Sequence, residues 1–108
     1  MISLQTSRHG QARLQQRAFR GNDHELIYLL GVHINDQEIF MPKRVVEYEI
    51  HIRRKKITAI NRRTNAATYP SIHDDISELK REIHQLERIR NKKIVVDGTT
   101  LITAYHVQ

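Results

Sequence analysis

Three side chains near the start of the chain have the types and the spacing that phosphate chemistry requires. His9, Arg13 and Arg17 follow one another at intervals of four residues, so on a helix they form a single stripe. Histidine exchanges protons near neutral pH, and arginine holds phosphate through paired hydrogen bonds. Because like charges at this spacing repel each other, the stripe needs an anion nearby.

The sequence leaves two sources of that anion open. The stretch 21–41 contains four acids and neither Lys nor Arg, so its carboxylates could pair with the stripe inside the fold. Alternatively, RNA or DNA phosphate pairs with the stripe, and His9 then acts as general acid or base. The acids concerned are Asp23, Glu25, Asp36 and Glu38.

The charge balance favours a polyanionic partner. The 108 residues include 18 Lys and Arg against 12 Asp and Glu, which gives a net charge of +6. The excess is concentrated in 43–63, where we predict an exposed basic face that attracts RNA or another polyanion. Its members are Lys43, Arg44, Arg53, Arg54, Lys55, Lys56, Arg62 and Arg63.

Several classes of protein and site are not expected. The absence of cysteine excludes disulfides, thiol nucleophiles and thiolate zinc sites. We find no apolar run of the roughly 18 residues that a membrane span needs, and no secretory signal pattern, so we expect a cytoplasmic protein without a membrane partner. No pair of histidines has metal-ligand spacing, and no glycine-rich phosphate loop is present. We therefore expect no metal and no cofactor.

The first half of the chain has clear helix boundaries. Ser7 suits an N-cap, and Asn22 or Asp23 could cap a second helix. Gly31 is predicted to close that second helix in a left-handed conformation. The predicted elements are an edge strand at 2–4, helices at 8–19 and 24–30, and a strand at 38–41.

The pattern over 42–60 fits two structures. Alternating apolar and polar residues over 46–52 are typical of a strand. Pro42 suits a first helical turn, however, and Ile50 and Ile57 fall on one helical face. We favour a helix, with a strand as the alternative.

A second amphipathic helix is predicted over 72–90, after a flexible loop at 61–71 that ends the basic segment. Its apolar stripe favours docking on a sheet, with a coiled-coil dimer as the alternative. The stripe consists of Ile72, Ile76, Leu79, Ile83 and Leu86.

The end of the chain has the pattern of a β-hairpin. The Asp-Gly pair at 97–98 is a preferred two-residue turn. Period two along the second strand then places Leu101, Thr103 and Tyr105 on one face. The hydroxyls of Thr103 and Tyr105 would project together.

These elements predict a single domain over residues 1–108, of the α+β class. Its N-terminal helices pack on a small antiparallel sheet that the Asp-Gly hairpin closes. The predicted strands of that sheet are 38–41, 93–97 and 99–106.

Both ends of the chain resemble small bacterial domains of unknown function. Residues 7–19, Ser-Arg-His-Gly-Gln-Ala-Arg-Leu-Gln-Gln-Arg-Ala-Phe, resemble their opening, Ser-x-His-Ala-x-x-Arg-Met-x-x-Arg-Gly-Ile. Residues 29–31 resemble the end of their second helix, and residues 94–106 resemble their closing hairpin with its Val-Val, Asp-Gly and Ile-Thr-x-x-His. These domains are similar to the barnase–EndoU–colicin–RelE group of metal-independent ribonuclease folds, which includes toxin components.

The resemblance implies an RNA-binding, ribonuclease-like protein of toxin type. The alternative is a non-catalytic nucleic-acid-binding or protein-interaction module, with an antitoxin-like protein or a second copy as partner. An open cleft shared by His9 with Thr103 or Tyr105 would favour the enzyme, and a buried His9 paired with a carboxylate would favour a structural role. The candidate catalytic residues are His9, Arg13, Arg17, Thr103, Tyr105 and His106.

Overall fold

The protein has the predicted α+β class. A computed structural model describes residues 4–63 and 71–107, and for residues 63 and 71–73 it describes the backbone alone. Within these residues, none of the helices combines the length and apolar character needed to cross a membrane. The elements are β1 (Gln5–Thr6), α1 (Arg8–Gln16), α2 (Asp23–Leu30), β2 (Val32–His33), β3 (Glu38–Phe40), α3 (Lys43–Arg63), α4 (Ser71–Ile89), β4 (Lys92–Asp97) and β5 (Thr100–His106).

The sheet is larger than predicted, and it is mixed. Its strand order is β1-β5-β4-β3-β2, with β1 parallel to β5 and the other neighbours antiparallel. The predicted edge strand at 2–4 falls at Gln5–Thr6 instead, and residues 2 and 3 lie outside the described residues. The three predicted strands do pair antiparallel, as β3, β4 and β5. The parallel pairing of β1 and the presence of β2 were not predicted, because a two-residue strand is too short to show a period in sequence.

The first helix begins as predicted and ends early. Ser7 caps α1, its Oγ accepting from the Gly10 N–H at 2.9 Å. The helix ends at Gln16 because Ala18 adopts φ 59° and reverses the chain. Phe19 then donates its N–H to a carbonyl within the helix, and its ring is buried in the core.

Gly31 closes α2 for a different reason from the predicted one. Its φ is −70°, so it does not use the left-handed region. A Cβ at this position would lie 2.5 Å from the Ile27 oxygen and 2.8 Å from Ile39 Cγ2. The residue is therefore a glycine because the chain passes close to its own backbone and to β3.

The middle of the chain forms a helical hairpin. Residues 42–60 belong almost entirely to α3, which continues through residues 61–63 of the predicted loop, and Ser71 begins α4. The remaining loop positions, 64–70, lie outside the described residues. The stripe of α4 packs mainly on α3 rather than on the sheet, which corrects our prediction. An apolar stripe specifies a partner surface but not which element supplies it.

The β4–β5 hairpin has a register that the turn chemistry did not predict. Asp97 pairs with Thr100, so Gly98 and Thr99 form the turn, and Gly98 alone of the two has positive φ, at 60°. A bulge then follows, because Val96 pairs with Leu101 while Val95 pairs with Thr103. The extra residue in β5 turns Leu101 inward and Thr103 outward, so the prediction that they share a face is wrong.

The inner face of the sheet packs against the helices and forms the core. Alternation along β4 and β5 places buried side chains on this face, while their neighbours point to the opposite, outer face. The core side chains that are least exposed are Ile27, Ile39, Met41, Val46, Leu86, Ile89, Ile94, Leu101 and Ala104.

Candidate nucleic-acid interface

The stripe of α1 lies on the surface. His9 is exposed, and Arg13 donates from Nε to its Nε2 at 3.3 Å and from Nη1 to Gln16 Oε1 at 3.1 Å. Among the described residues, no carboxylate pairs with His9, Arg13 or Arg17. The stripe therefore faces solvent with its positive charge uncompensated.

Three of the four carboxylates that could have neutralised the stripe have other partners. Arg88 of α4 donates two hydrogen bonds of 2.7 Å to the buried carboxylate of Asp23. Glu25 accepts a backbone N–H, and Glu38 forms an ion pair with Lys93 at 2.6 Å. Asp36 is exposed. Among the described residues, the predicted internal pairing of the stripe with these carboxylates does not form.

Thr103 and Tyr105 lie on the other side of the sheet from α1. They pair with Val95 and Lys93 on the outer face, where the Lys93 amine lies 5.7 Å from the centre of the Tyr105 ring. The next residue, Lys92, points to the inner face and donates to the Ala18 oxygen at 2.8 Å. The structure therefore does not bring Thr103 or Tyr105 to His9.

His106, in contrast, lies close to Arg17. It pairs with Lys92 across the hairpin and so belongs to the inner face. His106 and Arg17 line a surface depression of about 400 Å³ between the end of α1 and the start of β4, which we name the α1–β4 depression. Its lining residues are Arg17, Ala18, Glu87, Arg88, Arg90, Asn91, Lys92 and His106.

The α1–β4 depression has two structural peculiarities. Lys92 is only 6% exposed, and burial lowers its pKa despite the nearby charge of Asp23. Ala18 and Asn91, with φ of 59° and 61°, are the non-glycine residues with left-handed backbone in the described part of the chain. Both line this depression, and this conformation is costly for residues with a Cβ.

Two further depressions adjoin the α1–β4 depression along the helical hairpin. The first, of about 330 Å³, shares Glu87 and Arg90 with the α1–β4 depression. The second, a groove of about 510 Å³ along α3, shares His51 and Arg54 with the first. We name the three together the cationic track. Its lining contains seven Lys or Arg and two Glu. The basic members are Arg17, Arg54, Lys55, Arg62, Arg88, Arg90 and Lys92.

Three of the eight basic residues predicted on 43–63 line this track, and a fourth falls on the same side of α3. Arg54, Lys55 and Arg62 line it, and Arg44 falls on the same helical stripe, eleven residues before Lys55. Arg62 has no ion pair among the described residues.

The other half has different surroundings. Lys43 pairs with Glu47 at 3.6 Å, and Arg53 is held between two carboxylates of the hairpin. Lys56 lines none of the three depressions, and the side chain of Arg63 lies outside the described residues. A basic segment on a helix necessarily spreads over several faces, so composition overestimates the binding surface.

Sequence reasoning missed Arg90, Lys92, His51 and the exposed ring of Tyr48. The first two belong to a segment whose net charge is zero, so their local excess is hidden by acids elsewhere on α4. Tyr48 is 64% exposed, and it lies on the turn of α3 before His51. A tyrosine within a basic helical segment was a signal in the sequence that could have identified Tyr48.

Neither a metal-binding arrangement among the described residues nor a match to a known protein was found. In the parts of the chain that the structure describes, no three His, Asp or Glu side chains lie where they could hold one ion. No protein-family model, curated protein or solved structure matches this chain. The resemblance to ribonuclease-fold domains stays a prediction.

Proposed function

We propose that the protein binds RNA along the cationic track, mainly through the phosphate backbone. The observation that supports this most directly is continuity: three adjoining depressions share lining residues and run from α1 across α4 and along α3. A row of Lys and Arg with few carboxylates matches a strand that carries one negative charge per nucleotide. A cytoplasmic location and a protein partner stay predictions.

Unpaired RNA suits this surface better than a duplex. The imidazole of His51 lines the track, and the exposed Tyr48 lies seven residues before Lys55, on the same helical stripe of α3. Planar side chains beside backbone-binding cations stack on unpaired bases, whose faces a duplex does not offer. We therefore take single-stranded RNA as the ligand.

A salt titration with two double variants tests this proposal. Arg54→Gln/Lys55→Gln removes two charges from the track, and Lys56→Gln/Lys80→Gln removes two exposed charges that line none of its depressions. Binding of a labelled 20-mer is measured by fluorescence polarization. We expect the track variant to bind roughly tenfold more weakly and its salt slope to flatten by about 1.4.

The matched control decides whether position or net charge matters. If both double variants lose affinity equally, binding follows overall charge and the track is not the site. A wild-type affinity that does not change with salt would remove backbone binding altogether.

Metal-independent RNA cleavage is the second candidate function. It is favoured by His106, a proton-transfer group that shares the α1–β4 depression with Arg17 and Lys92. Cleavage of RNA by the purified protein in EDTA tests it, with His106→Ala expected to lose activity and Arg54→Gln to retain more of it. Intact RNA after prolonged incubation with folded protein would leave binding as the function.

A further inference from the structure

We propose that the α1–β4 depression binds a phosphomonoester, namely the terminal phosphate of an RNA strand that lies on the cationic track. This inference rests on the proposed RNA binding and adds a preference for one chemical form of the strand end. It differs from backbone binding, because a terminal phosphate carries close to two negative charges at neutral pH and a phosphodiester carries one.

The charge of the depression matches such a dianion. Arg88 lines the wall but is neutralised by its two hydrogen bonds to Asp23. This leaves Arg17, Arg90 and Lys92 against Glu87, with His106 beside them. Neither Arg17 nor Arg90 has an ion pair among the described residues, so both can turn to a ligand.

Lys92 places one cation below the surface. Its Nζ donates to the Ala18 oxygen at 2.8 Å and lies 4.7 Å from the centre of the Phe19 ring. An ammonium has three N–H donors, so these two contacts leave a third for an anion. A phosphate at the end of a strand can enter such a depression, whereas an internal phosphodiester carries a nucleoside on each side and stays at the mouth.

The walls of the depression are backbone turns in an unfavourable conformation. Ala18 and Asn91, the non-glycine residues with positive φ in the described part of the chain, both line it. The Ala18 turn brings its carbonyl to Lys92, and the Asn91 turn joins α4 to β4, where Lys92 begins the strand. The left-handed turns that end α1 and α4 therefore form this side of the depression, next to Lys92.

The test compares RNA strands that differ only at their ends. One 20-mer carries a 3′ fluorophore and either a 5′ hydroxyl or a 5′ phosphate, and a second carries a 5′ fluorophore and either a 3′ hydroxyl or a 3′ phosphate. We expect a phosphorylated end to bind about tenfold more tightly than its hydroxyl form, as a charge-assisted site predicts. Inorganic phosphate and a nucleoside monophosphate are added as competitors.

Two variants separate this site from the rest of the track. Arg17→Gln/Arg90→Gln changes exposed side chains, and we expect it to abolish the gain from the phosphate. Arg54→Gln/Lys55→Gln should weaken both forms of the RNA and leave their ratio unchanged. Circular dichroism checks that both variants are folded.

Each outcome decides between the two proposals. Equal affinity for hydroxyl and phosphorylated strands, with salt-dependent binding retained, overturns the terminal-phosphate site and leaves RNA binding in place. A nucleoside monophosphate that binds as tightly as the phosphorylated strand overturns the RNA end as the source of the phosphate. Failure of every RNA to bind overturns both proposals.

Discussion

At the scale of single residues, the most consequential contact is the one between Asp23 and Arg88. Burial by itself raises the pKa of Asp23, but hydrogen bonds from Arg88, the Arg20 N–H and Gln85 outweigh burial and hold the pKa below its ordinary value. A carboxyl whose pKa is depressed by folding stabilises the fold above its unfolded pKa, near 3.9. That contribution is lost as the pH falls through the folded pKa.

Replacing Asp23 with Asn should therefore destabilise the protein in a pH-dependent way. At pH 7 we expect a loss of about 3 kcal/mol, because Arg88 is left without its counterion. At pH 3 the loss should be smaller, because pH 3 lies below the unfolded pKa, where protonation of the unfolded carboxyl has already removed part of this contribution. Urea unfolding at both pH values measures the difference, with Glu78→Gln, which breaks an exposed ion pair, as control. An equal loss at both pH values would contradict the assignment.

Gly10 gives a second prediction at the residue scale. A Cβ there would lie 2.5 Å from the Leu101 oxygen, because α1 passes directly over β5. Helix propensity favours Ala over Gly by about 1 kcal/mol, but overpacking against backbone costs about 1–3 kcal/mol. We expect Gly10→Ala to lower the melting temperature.

The neighbouring exposed position supplies the control for Gly10. Gln11→Ala changes a side chain that faces solvent, so propensity alone should decide its small effect. If Gly10→Ala stabilises the protein as much as Gln11→Ala does, the close approach of α1 to β5 is not as described.

At the scale of elements, the helical hairpin separates two roles within one basic segment. Arg53 of α3 donates to Glu82 of α4 at 3.1 Å and lies 3.6 Å from Glu49, and its side chain is 17% exposed. Arg54 is the next residue, but the helical turn of about 100° per residue directs it to the track. Arg53 therefore joins the two helices of the hairpin, and Arg54 lines the candidate binding surface.

This separation is testable with single substitutions. Arg53→Gln should lower the free energy of unfolding by about 1 kcal/mol, because it removes a partly buried ion pair, and it should change RNA affinity little. Arg54→Gln should weaken RNA binding and change the free energy of unfolding little. Urea unfolding and fluorescence polarization on both variants give the comparison, and a larger loss of RNA affinity for Arg53→Gln would assign that residue to the interface.

At the scale of the whole molecule, the distribution of charge follows an elongated shape. The principal extents are 49 × 25 × 22 Å, so the track has a long surface to follow. The outer face of the sheet lies on the opposite side from α1. On this outer face, Lys93 forms an ion pair with Glu38 and contacts the Tyr105 ring. The molecule thus presents a side with free cations and a side on which this cation is paired.

The outer face should consequently be dispensable for RNA. We expect Thr103→Val and Tyr105→Phe to keep the affinity for single-stranded RNA within twofold of wild type, and to keep any cleavage in EDTA. The resemblance to ribonuclease folds predicts instead that these hydroxyls are needed. Loss of cleavage in either variant, with binding and folding intact, would return Thr103 or Tyr105 to the site.

The sequence alone determined what depends on neighbours along the chain. Ser7 caps α1 because its hydroxyl needs only the next turn, and the periodic apolar residues of α4 make it a helix wherever it packs. The α+β class and the basic excess on α3 were also readable locally. The helix over 42–60 was favoured but not decided, since its pattern satisfied two periods.

Only the tertiary structure decided which distant groups meet. Asp23 could have paired with any nearby arginine. Because α2 packs on α4, Asp23 pairs with Arg88 instead, and the α1 stripe has no carboxylate partner among the described residues. One extra residue in β5 reversed the face of Thr103 relative to Leu101, which no period in the sequence encodes. The candidate interface depends on the fold because it brings Arg17 to Arg90 and Lys92, and the distance of Arg17 from that pair along the chain conceals this from local patterns.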